Sequence, residues 1–301
     1  MPADQAPCAH PTRARLRLLS ERTGLRYLLS LSRFRFWIYT GGPYVVGYAL
    51  GIGGIEDFFR LDYYVYLLFF FIPANIFIYG VNDYWDEDTD RLNPKKDEKE
   101  HRLVPQHKRR LALILAGVVG LSALLMVFQD NVERAIFLAF LLLSYFYSAK
   151  PLRFKAVPVL DFSSNMLYIM PGIFAYYLAS GELPPPLIVL AGFFHIAAMH
   201  LFSAIPDIGC DERAGIRTTA VALRERRSLL LVAAFWSALS TIVLYLTGAH
   251  PLAFLVLIYP AFPLLLLLDR RQDINRLYWY LPYVNTTLGG LLFVALVLNA
   301  L

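Results

Sequence analysis

Long apolar runs alternate with short polar segments along most of the chain. A helix that crosses a bilayer needs about 20 mostly apolar residues, so we predict that each run forms one membrane-spanning helix. The nine predicted spans are approximately Phe36–Ile52, Tyr63–Val81, Leu111–Phe128, Ala135–Ser148, Val157–Leu178, Leu187–Ile205, Leu229–Leu246, Pro251–Leu268 and Tyr280–Leu301. The expected fold class is therefore all-α, an integral membrane bundle of nine transmembrane helices.

Basic residues are distributed unevenly between the segments that join these runs. Of the 28 Lys and Arg residues, all but Arg60 and Arg134 lie in the N-terminal region or in the loops after the second, fourth, sixth and eighth spans. Cytoplasmic loops of membrane proteins carry an excess of Lys and Arg. We therefore predict a cytoplasmic N-terminus and, with nine spans, a C-terminus on the outside.

The overall composition agrees with a membrane protein. The chain is 57% hydrophobic and 17% charged, with a mean hydropathy of +0.50, whereas soluble domains are about 25% charged. The basic balance orients the chain in the bilayer, so it requires no nucleic-acid partner. Residues 1–30 are predicted to form a basic segment that is either interfacial or disordered, and residues 31–301 a single transmembrane domain.

An acidic motif follows the second apolar run directly. It contains Asn82, followed by Asp83, Asp86 and Asp90. If the helix continues through the motif, the three carboxylates share one face, where like charges repel one another. A divalent cation would neutralise this face, and Mg²⁺ prefers one or two carboxylates together with substrate phosphate oxygens. The motif therefore indicates a diphosphate bound through Mg²⁺.

A second acidic pair, Asp207 and Asp211, follows the sixth run at a spacing of one helical turn. Either cluster alone is compatible with a solvated loop. Both clusters, however, end an even-numbered span on the predicted cytoplasmic side, and carboxylates from two facing elements can hold a diphosphate through two metal ions. We predict two Mg²⁺ ions with five carboxylate ligands: Asp83, Asp86, Asp90, Asp207 and Asp211.

Several polar and aromatic residues near these motifs are candidates for substrate binding. Basic side chains can hold phosphate oxygens, although they also serve as markers of topology. Ring faces can stabilise an allylic cation, and polar residues inside spans tend to face cavities. The candidates are Arg91, Lys150, Arg153 and Arg217 for phosphate, Tyr147 and Tyr168 for the cation, and Asn75, Asn165 and His200 for the cavity.

At the two motifs the sequence resembles the UbiA superfamily of membrane prenyltransferases, which carry N-D-x-x-D-x-x-x-D and D-x-x-x-D. Within the superfamily, the stretches 72–83, 147–155 and 204–219 most resemble lycopene elongases of C50 carotenoid synthesis. The resemblance implies a nine-helix bundle whose central cavity opens at the cytoplasmic side. It also implies catalysis by Asp83, Asp86, Asp207, Asp211 and Tyr147, with Asn82 and Asp90 among the residues that bind substrate.

The implied reaction is Mg²⁺-dependent transfer of a dimethylallyl group from its diphosphate to lycopene. An alternative is a UbiA-type enzyme that prenylates a quinone precursor, a porphyrin or a glycerol ether. A CDP-alcohol phosphotransferase is disfavoured because Asp86 is followed by Glu87 instead of Gly. An ion-coupled transporter is disfavoured because its coupling carboxylates are expected near mid-bilayer, whereas these carboxylates end their spans.

Overall fold

The computed structural model describes residues 24–86, 108–269 and 272–300, apart from the side chains of Leu25 and Arg26. Within these ranges all regular elements are α- or 3₁₀-helices, and no β-strand is present, which confirms the all-α class. The α-helices are α1 (Leu25–Leu31), α2 (Ile38–Gly51), α3 (Leu61–Phe71), α4 (Pro73–Trp85), α5 (Lys108–Val127), α6 (Asn131–Ser148), α7 (Leu160–Ser163), α8 (Met170–Ser180), α9 (Pro186–Ala204), α10 (Ile208–Arg213), α11 (Thr219–Leu246), α12 (Ile258–Leu268) and α13 (Ile274–Ala300).

Six helical stretches of the described chain are long and apolar enough to cross a membrane. They are Leu61–Trp85, Lys108–Val127, Pro186–Arg213, Thr219–Leu246, Pro251–Leu268 and Ile274–Ala300. The other three predicted runs also contain helix, but α2 has only 14 residues and α6 begins with charged side chains. The fifth run is divided into α7, a 3₁₀ turn and α8. The chain is thus a helical membrane protein with spans of unequal length.

Helix α11 begins at Thr219, ten residues before the predicted span that started at Leu229, and its backbone is kinked at Arg224, where φ is 63° and ψ is 169°. The Thr218 side chain caps it by accepting a hydrogen bond from the backbone N–H of Val221 at 3.2 Å, a favourable arrangement for starting a helix. Helix α13 likewise begins early, at Ile274. Hydropathy reports only the apolar part of a helix, so it missed these polar first turns.

A break at Pro73 separates α3 from α4 within one span. Proline cannot donate a backbone hydrogen bond, so carbonyl groups of the preceding turn need other donors. Asn75 supplies two, since its Nδ2 lies 3.1 Å from the Phe70 carbonyl and 2.9 Å from the Phe71 carbonyl. The Thr40 hydroxyl also donates to Phe70, at 2.7 Å. Asn75 is fully buried in this structural role, so the prediction that it faces a cavity is wrong.

Helices α2 and α8 approach until their backbones touch. A Cβ atom added to Gly47 would lie 2.2 Å from the carbonyl oxygen of Gly172, and one added to Gly51 would lie 2.6 Å from that of Tyr176. Small residues at such positions allow close helix packing in membranes. Glycine at position 47 is therefore a requirement of this contact.

Two of the three clusters of buried side chains in the described residues are rich in aromatic rings, one in the N-terminal half and one in the C-terminal half. Tyr44, Phe70, Phe137 and Phe174 are fully buried in the first, which joins α2, α3, α6 and α8. Trp236 is fully buried in the second, which joins α9, α11, α12 and α13. Helix α13 also packs against α2, so the last helix contacts the helix of the first predicted span. The acidic motifs lie at the ends of α4 and α9, one from each half.

Candidate active site

The first acidic motif occupies the C-terminal end of α4. Asn82 and Asp83 lie within the helix, which ends at Trp85, and Asp86 follows directly. The helix therefore does not continue through the motif as the sequence analysis assumed. Asp83 and Asp86 are each only 1% exposed. Buried carboxylates are costly unless they are paired, so their partners define the site. Asp90 and Arg91 lie outside the described residues.

Arg33 is the partner of Asp83. Its Nη2 lies 2.8 Å from the Asp83 Oδ1, and the Arg33 side chain is only 8% exposed. The guanidinium also stands over the Tyr79 ring, 4.6 Å from the ring centroid. The Arg33 backbone is left-handed, with φ 50° and ψ 65°, which is uncommon for a residue other than glycine. A residue just before the first predicted span thus reaches across to the first acidic motif.

Asp86 has two cationic partners, both from the segment after α6. Arg153 Nη2 lies 3.1 Å from the Asp86 Oδ1, and Lys155 forms an ion pair with Oδ2 of the same carboxylate. Lys155 Nζ and Ser148 Oγ also donate to the Asn82 Oδ1, each at 2.9 Å. Asn82 is therefore held beside Asp86, because Lys155 contacts both side chains.

The second motif ends α9 through a 3₁₀ turn, Ile205–Asp207, and continues into the short helix α10, which contains Asp211. Asp207 and Asp211 are partly exposed. Lys155 connects the two motifs: burial lowers the pKa of its ammonium to about 7, while the carboxylates of Asp83 and Asp211 act in the opposite direction. One ammonium group thus interacts with carboxylates of both motifs.

Aromatic and polar side chains are grouped around Tyr147, which also lies within electrostatic range of Asp211. The Tyr147 and His200 rings are nearly perpendicular, with centroids 6.1 Å apart. Asn165 and Tyr168 interact with the Tyr147 hydroxyl. His200 lies seven residues before Asp207 on α9, which is about 10 Å at 1.5 Å per residue. The structure therefore brings these four predicted substrate residues together, deeper in the bundle than the carboxylates.

The predicted phosphate ligands separate into two groups. Arg153 is partly buried and reaches Asp86, whereas Lys150 and Arg217 are exposed. Arg153 and Lys155 follow the same turn after α6, but only Arg153 was singled out from the sequence. Lys155 lies in the 147–155 stretch that carries the family resemblance, so a comparison within that stretch could have found it.

Asp161 is a further buried carboxylate that the sequence analysis missed. It is fully buried and accepts hydrogen bonds from the Thr219 backbone N–H at 2.6 Å and the Thr219 hydroxyl at 2.5 Å. It thereby fastens α7 to the start of α11 and fixes the segment that follows the second motif. Its position inside an apolar run was the available signal, since ionisable residues in spans are rare and usually have a role.

The carboxylates suit a metal that is shared with a phosphate. Among residues 24–86, 108–269 and 272–300, no three Asp, Glu, His or Cys side chains are grouped closely enough to hold one metal ion. Mg²⁺ needs no such group, because it usually takes one or two carboxylates and fills its other positions with water and phosphate oxygens. Asp83 and Asp86 in one motif, and Asp207 and Asp211 in the other, supply that donor chemistry.

Known proteins are similar to this chain in sequence. The sequence profile described as the UbiA prenyltransferase family matches residues 41–281. The chain is 41% identical over 268 residues to the lycopene elongase/hydratase of Haloferax volcanii. This alignment covers 89% of this chain and 87% of that protein. It is 42% identical over 275 residues to the lycopene elongase/hydratase of Halobacterium salinarum, covering 88% and 97%.

The fold is also similar to that of a solved UbiA homologue from Archaeoglobus fulgidus bound to DMAPP and Mg²⁺. The TM-score is 0.69 at 22% sequence identity, and the match covers 90% of this chain and 98% of that chain. The profile spans most of the chain, and the apolar helices form a similar bundle. The chain therefore belongs to the UbiA prenyltransferase family and is an integral membrane prenyltransferase.

Proposed function

We propose that this enzyme transfers a dimethylallyl group from its diphosphate to lycopene in an Mg²⁺-dependent reaction. The relatives from Haloferax volcanii and Halobacterium salinarum, both lycopene elongase/hydratases at about 40% identity, support the acceptor. The Archaeoglobus fulgidus homologue, which binds DMAPP and Mg²⁺, supports the donor and the metal. The observation that carries the proposal is the position of Lys155, whose ammonium interacts with carboxylates of both acidic motifs.

The carboxylates of the two motifs would hold the metal, one ion for each motif. Asp83 and Asp86 belong to the first site, Asp207 and Asp211 to the second, and Asp90 is a further predicted ligand of the first. When bound, Mg²⁺ neutralises charge on the diphosphate and makes it a better leaving group. Carboxylates from the two halves of the bundle would thus act on one diphosphate.

Basic side chains at the site would bind the diphosphate oxygens. Arg153 and Lys155 already lie at Asp86, and charge-assisted hydrogen bonds from such groups are short and strong. Because these donors stand in place before the reaction, they stabilise the charge that develops on the leaving diphosphate. Arg91 and the exposed Lys150 and Arg217 would act at the edge of the site.

The transfer itself makes one carbon–carbon bond and breaks one carbon–oxygen bond. The bond between C1 of the dimethylallyl group and the diphosphate oxygen breaks first, and the diphosphate leaves with its electron pair, which gives an allylic cation. The electron pair of a terminal double bond of lycopene then forms the new carbon–carbon bond to C1. The rings of Tyr147 and Tyr168 would stabilise the allylic cation. Asn165 and His200 would position the chain beside them. The cation left on the acceptor then loses a proton or takes up water.

The same proposal includes the topology of the bundle. Nine spans, a cytoplasmic N-terminus and an outside C-terminus would place both motifs and a central cavity at the cytoplasmic face, where the water-soluble diphosphate is available. The distribution of Lys and Arg supports this orientation. The acceptor is a long hydrocarbon and would reach the cavity from the bilayer.

Purified enzyme in detergent or nanodiscs tests the proposal directly. With Mg²⁺, dimethylallyl diphosphate and lycopene, we expect diphosphate release together with a lycopene product enlarged by one or two C5 units. Mass spectrometry also shows whether water has been added. A matched reaction with a quinone precursor tests the alternative acceptor. Prenylation of that precursor, with lycopene unchanged, would overturn lycopene as the acceptor.

A further inference from the structure

The metal-binding carboxylates of the first motif already have cationic partners in this structure. Arg33 contacts the Asp83 Oδ1 at 2.8 Å, and Arg153 and Lys155 both contact Asp86. Both carboxylates are almost completely buried. A metal ion that enters this motif must therefore compete with side-chain cations for the same oxygen atoms.

The charges at this motif disfavour a metal ion on its own. Arg33 pairs with Asp83, and Arg153 pairs with Asp86, so these two guanidinium groups already balance the two carboxylates. A divalent cation would add two positive charges in a site with little exposure to water, where like charges repel strongly. The negative charge of a diphosphate would offset the charge of the metal.

Arg33 is the cation best placed to be displaced. It comes from the segment before α2, whereas Arg153 and Lys155 share one turn after α6. Its left-handed backbone is strained for an arginine, and such strain tends to occur at functional sites. The Tyr79 ring lies below the guanidinium, so the group keeps a favourable contact when it leaves the carboxylate.

We propose that Arg33 is an internal counter-ion of the metal site, which keeps Mg²⁺ from Asp83 until a diphosphate binds. The guanidinium then exchanges the carboxylate for a phosphate oxygen, and the freed Asp83 oxygen accepts the metal. This proposal rests on the Mg²⁺ and diphosphate chemistry proposed above, and it adds an order of binding. Arg33 is in this sense a positioning residue that acts through Asp83.

Metal binding without turnover tests this role. Mn²⁺ serves as a paramagnetic stand-in for Mg²⁺, and its binding to purified protein is measured by electron paramagnetic resonance with and without inorganic pyrophosphate. In the unaltered protein, we expect pyrophosphate to strengthen Mn²⁺ binding by at least about tenfold, a typical coupling between two sites. In Arg33→Met, Mn²⁺ alone should bind about tenfold more tightly than in the unaltered protein, and the effect of pyrophosphate should shrink.

Three further variants make the result specific. Arg35→Met removes a guanidinium two residues away that lies over the Trp279 ring, and it should behave like the unaltered protein. Arg33→Lys keeps the charge and should retain weak binding of Mn²⁺ alone, which also controls for misfolding of Arg33→Met. Combining Arg33→Met with Asp83→Asn should abolish the gain, because the tighter site requires the Asp83 carboxylate.

The outcomes separate this inference from the proposed function. If pyrophosphate promotes Mn²⁺ binding in the unaltered protein but folded Arg33→Met binds Mn²⁺ alone no more tightly, the counter-ion role is overturned and the metal chemistry stands. If Mn²⁺ binds to none of the proteins even with pyrophosphate, the proposed function fails as well.

Discussion

The two acidic motifs hold the same chemical groups in different surroundings. Asp83 and Asp86 are 1% exposed and paired with cations, whereas Asp207 and Asp211 are partly exposed at the end of α9. Removing one partner of a buried ion pair destabilises a protein strongly, because the other charge is then buried without its partner. The first motif should therefore serve both stability and chemistry, and the second mainly chemistry.

The largest expected effect is on turnover, and it should be alike for both motifs. Asp83→Asn and Asp207→Asn each remove a carboxylate that would hold the metal and the leaving diphosphate. We expect each to lower the rate of diphosphate release by about 10³-fold, which corresponds to about 4 kcal/mol of transition-state stabilisation. The release assay with dimethylallyl diphosphate and lycopene measures both. Near-normal turnover in either variant would contradict the assignment of that motif.

The free energy of unfolding should distinguish the two motifs, although turnover should not. Asp83→Asn removes the carboxylate that pairs with the buried Arg33 guanidinium, so the free energy of unfolding should fall by about 3 kcal/mol. Asp207→Asn, at a partly exposed position, should change it by less than about 1 kcal/mol. Thermal unfolding in detergent measures both, and adding Arg33→Met to Asp83→Asn should recover part of the loss. Equal unfolding temperatures for the two single variants would remove the proposed contrast.

An intermediate effect on stability is expected at Asp161, which binds the start of α11 just after the second motif. Asp161→Ala removes the acceptor for the Thr219 backbone N–H and hydroxyl. We expect a loss of about 2 kcal/mol in unfolding free energy, because buried donors are left unsatisfied. Thr219→Val, which removes only the hydroxyl, should cost less in the same unfolding measurement. If Asp161→Ala unfolds at the same temperature as the unaltered protein, the anchor is unimportant.

The smallest effect concerns the basic residues near each motif. Arg153→Gln removes a partly buried cation at Asp86 and should raise the KM for dimethylallyl diphosphate by about tenfold, or about 1.4 kcal/mol. Arg217→Gln, at an exposed position after the second motif, should change KM less than about twofold. Steady-state kinetics at saturating lycopene compares them. A change in KM for Arg217→Gln larger than about twofold would show that the exposed side of the site also binds phosphate.

The sequence predicted much of this architecture because membrane helices are marked by composition and length. The apolar runs located the helices, and the regular spacing of carboxylates marked the ends of α4 and α9. The ends of the helices were less predictable, since α11 starts in a charged stretch and α4 stops at Trp85 within the motif. Local caps and tertiary contacts decide such boundaries, and hydropathy does not report them.

The partners of the carboxylates were harder to predict than the carboxylates themselves. Arg33 lies 50 positions before Asp83, and its sequence context is that of a basic membrane-surface segment. The packing of α1 against α4 brings it to the site. For Asn75 the prediction assigned too much function. Its position inside a span suggested that it faces a cavity, but its side chain donates hydrogen bonds to carbonyl groups beside the break at Pro73.

The contact between Gly47 and Gly172 has a consequence for the acceptor proposed above. At this level the two backbones leave no space for a polyene chain to pass. A long hydrocarbon that reaches the site from the bilayer would therefore have to enter between helices other than α2 and α8 at this level.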